Sequence, residues 1–170
     1  MLDSLEGRRA EAADALGAAL PDDWPGDLER LLQLRLRQVR ADPAVQPWLL
    51  RAMVRRTPSR LMVGYIGFHG APSPRGSVEV GYTVLAEHRR QGYAFEAAVA
   101  LLGWAGDAHG IRHVVASVSP KNGPSLALVR KLGFTQTGTQ WDDVDGEELV
   151  FERLPDGRLA DPPAGGATPP

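Results

Sequence analysis

The order of hydrophobic patterns predicts an α/β fold with a mixed, mostly antiparallel sheet and helices on both faces. Three observations carry this expectation. Strand-like runs at residues 48–56, 61–69 and 78–85 follow one another across short turns, so they run antiparallel. A strand, a long helix and another strand come next, at 78–85, 93–108 and 113–119, an order whose two strands pair in parallel through a right-handed crossover. Finally, residues 134–142 and 148–153 flank Asp143-Val144-Asp145-Gly146, where Asp-Gly is a strong hairpin signal.

Taken in order, residues 6–20 are alanine-rich with spaced charges, the composition of a helix, which Pro21 ends. Residues 21–26 are a loop carrying Trp24. Asp27 stands where an N-cap would open a second helix, in which Leu28, Leu31, Leu32, Arg35 and Val39 recur at helical spacing as core residues. Asp42-Pro43 ends that helix. Residues 48–56 read as a strand, with a helical turn as the alternative, and Thr57-Pro58-Ser59-Arg60 turns the chain into 61–69. Residues 70–76 hold two prolines and two glycines, a fitting length for a hairpin. The long helix from Tyr93 is stopped by Gly110, and a short helix over 125–132 is closed by Gly133. From Pro155 onward proline, glycine and alanine dominate, so one domain is expected over 1–154, with a disordered tail over 155–170.

A chain of 170 residues suits one domain with a sizeable core, and 43% hydrophobic with 24% charged residues is an ordinary globular balance. A formal net charge of -2 supplies no global field to recruit nucleic acid or an anionic membrane, so basic residues act locally. The absence of cysteine excludes disulfides, thiolate metal sites and a cysteine nucleophile. No apolar run has the length of a bilayer-spanning helix, and the start lacks a signal-peptide pattern. A cytoplasmic monomer or homodimer is the expectation.

Residues 78–98 focus the chemistry. An apolar strand breaks at Ala86-Glu87-His88 and places Arg89, Arg90, Gln91 and Gly92 in front of a long helix. The first N–H groups of a helix lack internal partners, and the helix dipole adds positive potential there, which makes an anion site. Gly92 admits close backbone approach, and the arginines add mobile positive charge. The glycine patterns of Rossmann and P-loop sites are both missing.

The run Arg89-Arg90-Gln91-Gly92-Tyr93-Ala94 after one strand, with Asn122-Gly123-Pro124-Ser125 and Lys131-Leu132-Gly133-Phe134 after the next, resembles the GNAT acetyltransferase superfamily. That superfamily carries Arg or Gln, two residues, Gly, one residue, then Gly or Ala, which Arg89, Gly92 and Ala94 satisfy. The stretches 79–97 and 145–153 resemble its Rim-type branch, which acetylates protein N-termini and small amines. The resemblance spans residues 48–154. Two departures stand out. GNAT domains usually open with a strand before the first helix, and nothing before Glu6 reads as one. Many relatives place a proton-donating tyrosine four residues before the Gly-Phe pair, where this chain has Val129.

The resemblance implies acetyl-CoA as co-substrate and no metal. Its pyrophosphate would be cradled by Arg89, Arg90, Gln91, Gly92, Tyr93 and Ala94, and its pantetheine arm would lie along Tyr82, Thr83, Val84 and Leu85 like an added strand. A backbone N–H near Val84 or Leu85 would hold the developing oxyanion. Asn122 would bond the pantetheine from the other side, against the alternative of a turn former.

An acceptor amine arrives protonated; an α-amino group, with a pKa of about 8, asks less of a base than lysine at about 10.4. Glu79, on the strand that would hold the cofactor, is the leading base candidate, against an exposed or salt-bridged glutamate. His69 could share that role or orient the substrate, against a plain loop-edge histidine. Ser125 sits where the Rim-type branch resembles a hydroxyl donor to the departing sulfur, against a serine favoured by the helix start. Trp24 and Trp141 are candidates to line an acceptor pocket, against ordinary packing. Glu96 is structural or touches the cofactor loop. His109 and His113 are four apart, but Gly110 breaks the helix that a metal pair would need. An N-acetyltransferase acting on a peptide N-terminus or small amine is therefore expected, with a catalytically weak acyl-CoA-binding module as the alternative.

Overall fold

A computed structural model of the chain describes residues 9–107, 111, 113–144 and 146–153. These fall into two compact units. One comprises the residues through Ala71 together with Val80–Leu101, and the other Pro72–Glu79 together with the residues from Leu102. Strand β3, Ser77–Val84, and helix α3, Tyr93–Asp107, each contribute residues to both.

The first unit begins with α1, Arg9–Leu16. The expected helix over 6–20 is shorter at its C-terminal end because Gly17, at φ +62°, reverses the backbone hand. The N–H of Gly17 bonds the carbonyl of Asp14 at 3.0 Å and that of Ala18 bonds Ala13 at 3.2 Å, the paired bonds of a Schellman cap. Ala19 then makes an isolated parallel bridge to Leu61. The Arg9 guanidinium holds the following loop by donating to the carbonyls of Leu20 (2.8 Å), Trp24 (3.3 Å) and Pro21. Asp27 is not an N-cap. It lies in a 3-10 turn, Gly26–Leu28, ahead of α2, Glu29–Ala41, whose N-cap is Leu28 without side-chain help. Burying Leu28 carries the chain into helical geometry earlier than a cap at Asp27 would allow. Trp24, Leu28 and Leu32 join Ala12, Leu20 and Met62 in one core cluster, so Trp24 is a packing residue.

Asp42 ends α2 and its Oδ1 accepts the N–H of Ala44 at 3.0 Å, opening a second 3-10 segment, Pro43–Trp48. Trp48 therefore lies outside the strand expected over 48–56, which is β1, Arg51–Arg55. Its ring packs on Phe68 instead, at 5.9 Å between centroids. β1 pairs antiparallel with β2, Leu61–Phe68, and β2 with β3. Gly64 is obligatory here: a Cβ would stand 2.3 Å from the Thr83 carbonyl oxygen. Among the described residues no strand precedes β1.

In the second unit β3 pairs in parallel with β4, His113–Val118, over three positions only, Ser77 to Glu79 against His113 to Val115. β4 pairs antiparallel with β6, Gly146–Arg153, and β6 with β5, Thr135–Asp142. The strand order is β1-β2-β3-β4-β6-β5, the mixed and mostly antiparallel sheet read from the sequence. Val78, Val114, Ala116, Val118 and Phe151 are buried on one side, with Val78 opposite Val114 and Ala116 opposite Phe151. Helix α4, Gly123–Lys131, starts two residues before the expected Ser125, because Asn122 caps it. Gly133 (φ +82°) closes it with a second Schellman pair, Gly133 to Arg130 and Phe134 to Val129, both at 3.0 Å. Ala108, His109, Gly110, Asp145 and the tail over 155–170 lie outside the described residues. Among the described residues no helix is long and apolar enough to cross a membrane.

Candidate active site

The basic turn of the first unit has the backbone of an anion cradle. After β3 a 3-10 turn, Ala86–His88, leads to Arg89 in extended geometry. Arg90 then adopts φ +62° and Gly92 φ +88°. Arg90 is the one non-glycine residue with positive φ among those described, and a left-handed side-chain-bearing residue costs about 1–2 kcal/mol. Such strain collects at functional turns, where successive N–H groups of alternating hand converge on an anion. The ladder of α3 opens with the Glu96 N–H on the Gly92 carbonyl at 3.0 Å, so Tyr93 and Ala94 present the first N–H groups of a 15-residue helix. A Cβ at Gly92 would meet nothing within 4 Å. Open space ahead of a strained, basic, N–H-rich turn fits a pyrophosphate.

Two details refine the sequence reading of this turn. Arg89 is folded back, its Nε donating to the Val84 carbonyl at 3.0 Å, which ties the turn to the end of β3. The Leu85 N–H is already committed to the Val63 carbonyl at 2.9 Å, so Leu85 is withdrawn as an oxyanion donor. That bond also fixes the alternation: Val84, opposite Gly64, falls in a non-bonded pair, and its N–H is directed away from β2. Tyr82, opposite Ile66, has the same parity, whereas Thr83, opposite Tyr65, faces its backbone to β2.

His69 follows β2 and is exposed. Its carbonyl accepts from Arg35 Nη1 at 2.6 Å and Gln38 Nε2 at 3.0 Å, both on α2, and Arg35 Nη1 also reaches Gln38 Oε1 at 2.9 Å. Arg35 is 7% exposed, and burial lowers its pKa from the ordinary arginine value. The imidazole lies against β3, where a Cβ at Gly81 would stand 2.7 Å from Nε2. The buried Arg35 thus holds the His69 backbone, and the absence of a side chain at Gly81 leaves room for its ring.

In the second unit Glu79 lies at the last β3–β4 pair, opposite Val115. Its Oε1 accepts the Ser117 hydroxyl at 2.7 Å; Ser117 Oγ accepts from Gln140 Nε2 at 3.0 Å, and the same amide nitrogen donates to Glu148 Oε2 at 3.0 Å. Asn122 Oδ1 accepts the Ser125 N–H at 3.1 Å, so its capping role uses the carbonyl end of the amide. Ser125 is half-buried in the first turn of α4. Val129 is 1% exposed, so the tyrosine position of the resemblance is a core position here. Trp141 is 76% exposed on β5, and its ring edge would lie 3.9 Å from a Cβ at Gly146. Interior packing does not account for it. Among the described residues no group of three His, Asp or Glu could hold a metal ion.

Sequence reasoning missed Ser117, Gln140, Gln38 and Gly81. Alternation along 113–118 assigns Ser117 to the less buried side, but its partners on β3 and β5 depend on a register that no local pattern carries.

The family model for the acetyltransferase (GNAT) domain matches residues 12–135, and the chain belongs to this family. The uncharacterized N-acetyltransferase YjdG of Bacillus subtilis (strain 168) is 37% identical over 73 residues, 43% of this chain and 44% of that protein. The chain spans about half the length or less of the curated relatives it matches, 43% to 50%. A GNAT-family acetyltransferase structure from Bacillus anthracis is 25% identical, with a TM-score of 0.51 over 56% of this chain and 60% of that one. The ribosomal-protein-S5-alanine acetyltransferase of Vibrio fischeri shares the fold, with a TM-score of 0.60, 17% identity, and coverage of 75% of this chain and 70% of that one.

Proposed function

We propose that the chain is an acetyl-CoA-dependent N-acetyltransferase acting on a primary amine, a peptide N-terminus or a small amine, of the Rim-type branch. The turn from Arg89 to Ala94 carries this reading: its positive-φ residues, open front and helix start suit the pyrophosphate of coenzyme A. Acetyl-CoA would supply an activated thioester along Tyr82 to Val84. The Val84 N–H, directed away from β2, is the chain's candidate oxyanion donor. Asn122, whose cap uses only Oδ1, keeps amide hydrogens for the pantetheine.

Glu79 takes one proton from the acceptor ammonium, directly or through water. The amine nitrogen then forms its bond to the thioester carbonyl carbon, and collapse breaks the carbon–sulfur bond. The second nitrogen proton leaves with the thiolate, giving amide and thiol. Thiols ionise near pKa 8.5, about two units below a lysine amine, so the leaving sulfur needs little acid help, and Ser125 suffices as a hydroxyl donor where Val129 replaces a tyrosine. His69 and Trp141 are assigned to the acceptor side.

Thiol release from acetyl-CoA across a panel of amines and peptides, with mass spectrometry of the products, tests the proposal. Acetylated product is expected. Tight calorimetric binding of coenzyme A without turnover on any acceptor would sink it in favour of an acyl-CoA-binding module, the reading that the buried Val129 favours.

A further inference from the structure

On β3 the Glu79 carboxylate accepts the Ser117 hydroxyl of β4, which in turn accepts from Gln140 of β5, itself bonded to Glu148 of β6. We infer that Ser117, held from behind by Gln140, positions the Glu79 carboxylate for proton removal, an inference that rests on Glu79 being the base of the transfer proposed above.

Proton counting sets the direction of the chain. A serine hydroxyl has one hydrogen. The Glu79 carboxylate can only accept, so at 2.7 Å that hydrogen lies on the bond to Oε1. The lone pairs of Oγ then receive the Gln140 amide at 3.0 Å. The other amide hydrogen of Gln140 goes to Glu148 Oε2, also at 3.0 Å, so neither the amide nor the hydroxyl can turn without losing a partner. The order runs amide to hydroxyl to carboxylate, and Glu148 anchors its far end. A glutamate side chain left alone samples several rotamers, whereas a base must meet its proton within hydrogen-bond reach.

Register explains why these residues meet. Glu79 faces Val115, and Ser117 is two residues along the same side of β4. Ser117 is opposite Val150 on β6, and Gln140 on β5 is opposite Glu148. All four polar residues therefore share the side opposite the buried Val78, Val114, Ala116 and Phe151. The network holds no part of that apolar layer, so loosening it should disturb Glu79 more than the fold.

Ser117→Thr and Ser117→Val separate the roles, because the two side chains share a shape that strands accept and only threonine keeps the hydroxyl. With wild-type acetyl transfer established, Ser117→Thr should stay within about twofold in kcat, and Ser117→Val should lose about tenfold, with KM for acetyl-CoA unchanged. In a Glu79→Gln background the valine change should have no further effect. Equal kcat for the two variants, or an undiminished loss in the Glu79→Gln background, would overturn the inference. The carboxyl-carbon NMR shift of Glu79 gives a readout independent of turnover, expected to move in Ser117→Val and not in Ser117→Thr. If wild type proves inactive while that shift behaves as expected, the transfer reading and the base role fail and the contact stands. If the shift is the same in both variants, the positioning fails whatever the activity.

Discussion

Gly92 and Gly81 are the two residues where one added methyl group is most informative. Gly92→Ala forces a side chain into φ +88°, at about 1–2 kcal/mol, and places a methyl in the open space assigned to the pyrophosphate. KM for acetyl-CoA is expected to rise about tenfold or more, the equivalent of about 1.4 kcal/mol. Gly133→Ala, at φ +82°, imposes comparable strain on the cap of α4 and serves as the control: it should lower the melting temperature similarly while leaving that KM alone. At Gly81 the obstacle is the His69 ring, 2.7 Å from the new Cβ, and a side-chain end can swing away. Gly81→Ala should therefore cost little stability, leave acetyl-CoA binding unchanged and raise the acceptor KM severalfold. An unchanged acceptor KM would remove His69 from the acceptor side.

Elements succeed or fail here through their ends and contacts. β2 and β3 approach so closely at Gly64 that a methyl would meet backbone, the Thr83 carbonyl at 2.3 Å, which cannot rotate aside. Gly64→Ala should cost about 1–3 kcal/mol or more, read as a lower urea midpoint, and should impair transfer because Val84 lies directly opposite. Two variants of Asn122 separate its cap from the pantetheine contact proposed above. Asn122→Ser keeps an N-cap oxygen and removes the amide hydrogens, whereas Asn122→Ala removes both, at about 1 kcal/mol of stability. Weaker coenzyme A binding in both variants would support the pantetheine contact; weaker binding in the alanine variant alone would reduce Asn122 to a cap. Element identity was largely legible in the sequence, because 61–69, 78–85 and 93–108 carry clean periodicity. Boundaries were less so: the α1 stop at Gly17 and the 3-10 turn before α2 depend on hydrogen bonds and burial, which composition does not encode.

Across the whole molecule, a formal charge of -2 gives an anionic ligand no long-range attraction, so the coenzyme A binding proposed above would rely on the local Arg89 and Arg90. Raising salt from about 0.05 to 0.5 M should weaken acetyl-CoA roughly severalfold by shortening the Debye length, with little change in the association rate. A steep loss of association rate would point to a wider basic surface. The strand–turn–helix geometry around Arg89 to Ala94 could be read from the chain because its parts are contiguous in sequence. The environment of Glu79 could not, since its partner Ser117 lies 38 positions away on β4, and Gln140, which bonds Ser117, lies 23 positions further on β5. His69 is the intermediate case: its place after a strand was readable, but Arg35 and Gln38 on its carbonyl were not.

The second Schellman cap has a consequence for how this sequence can evolve. Val129 supplies the carbonyl that closes α4 against the Phe134 N–H, and its side chain is 1% exposed. A mutational step from valine to tyrosine would have to fit a ring and a hydroxyl into a filled interior beside a helix terminus. Overpacking of that kind costs about 1–3 kcal/mol before any gain in acid catalysis is felt. Packing around Val129 thus disfavours a tyrosine acid, and under the proposed reaction the hydroxyl of Ser125, at the other end of the same helix, is left as the donor to the departing sulfur.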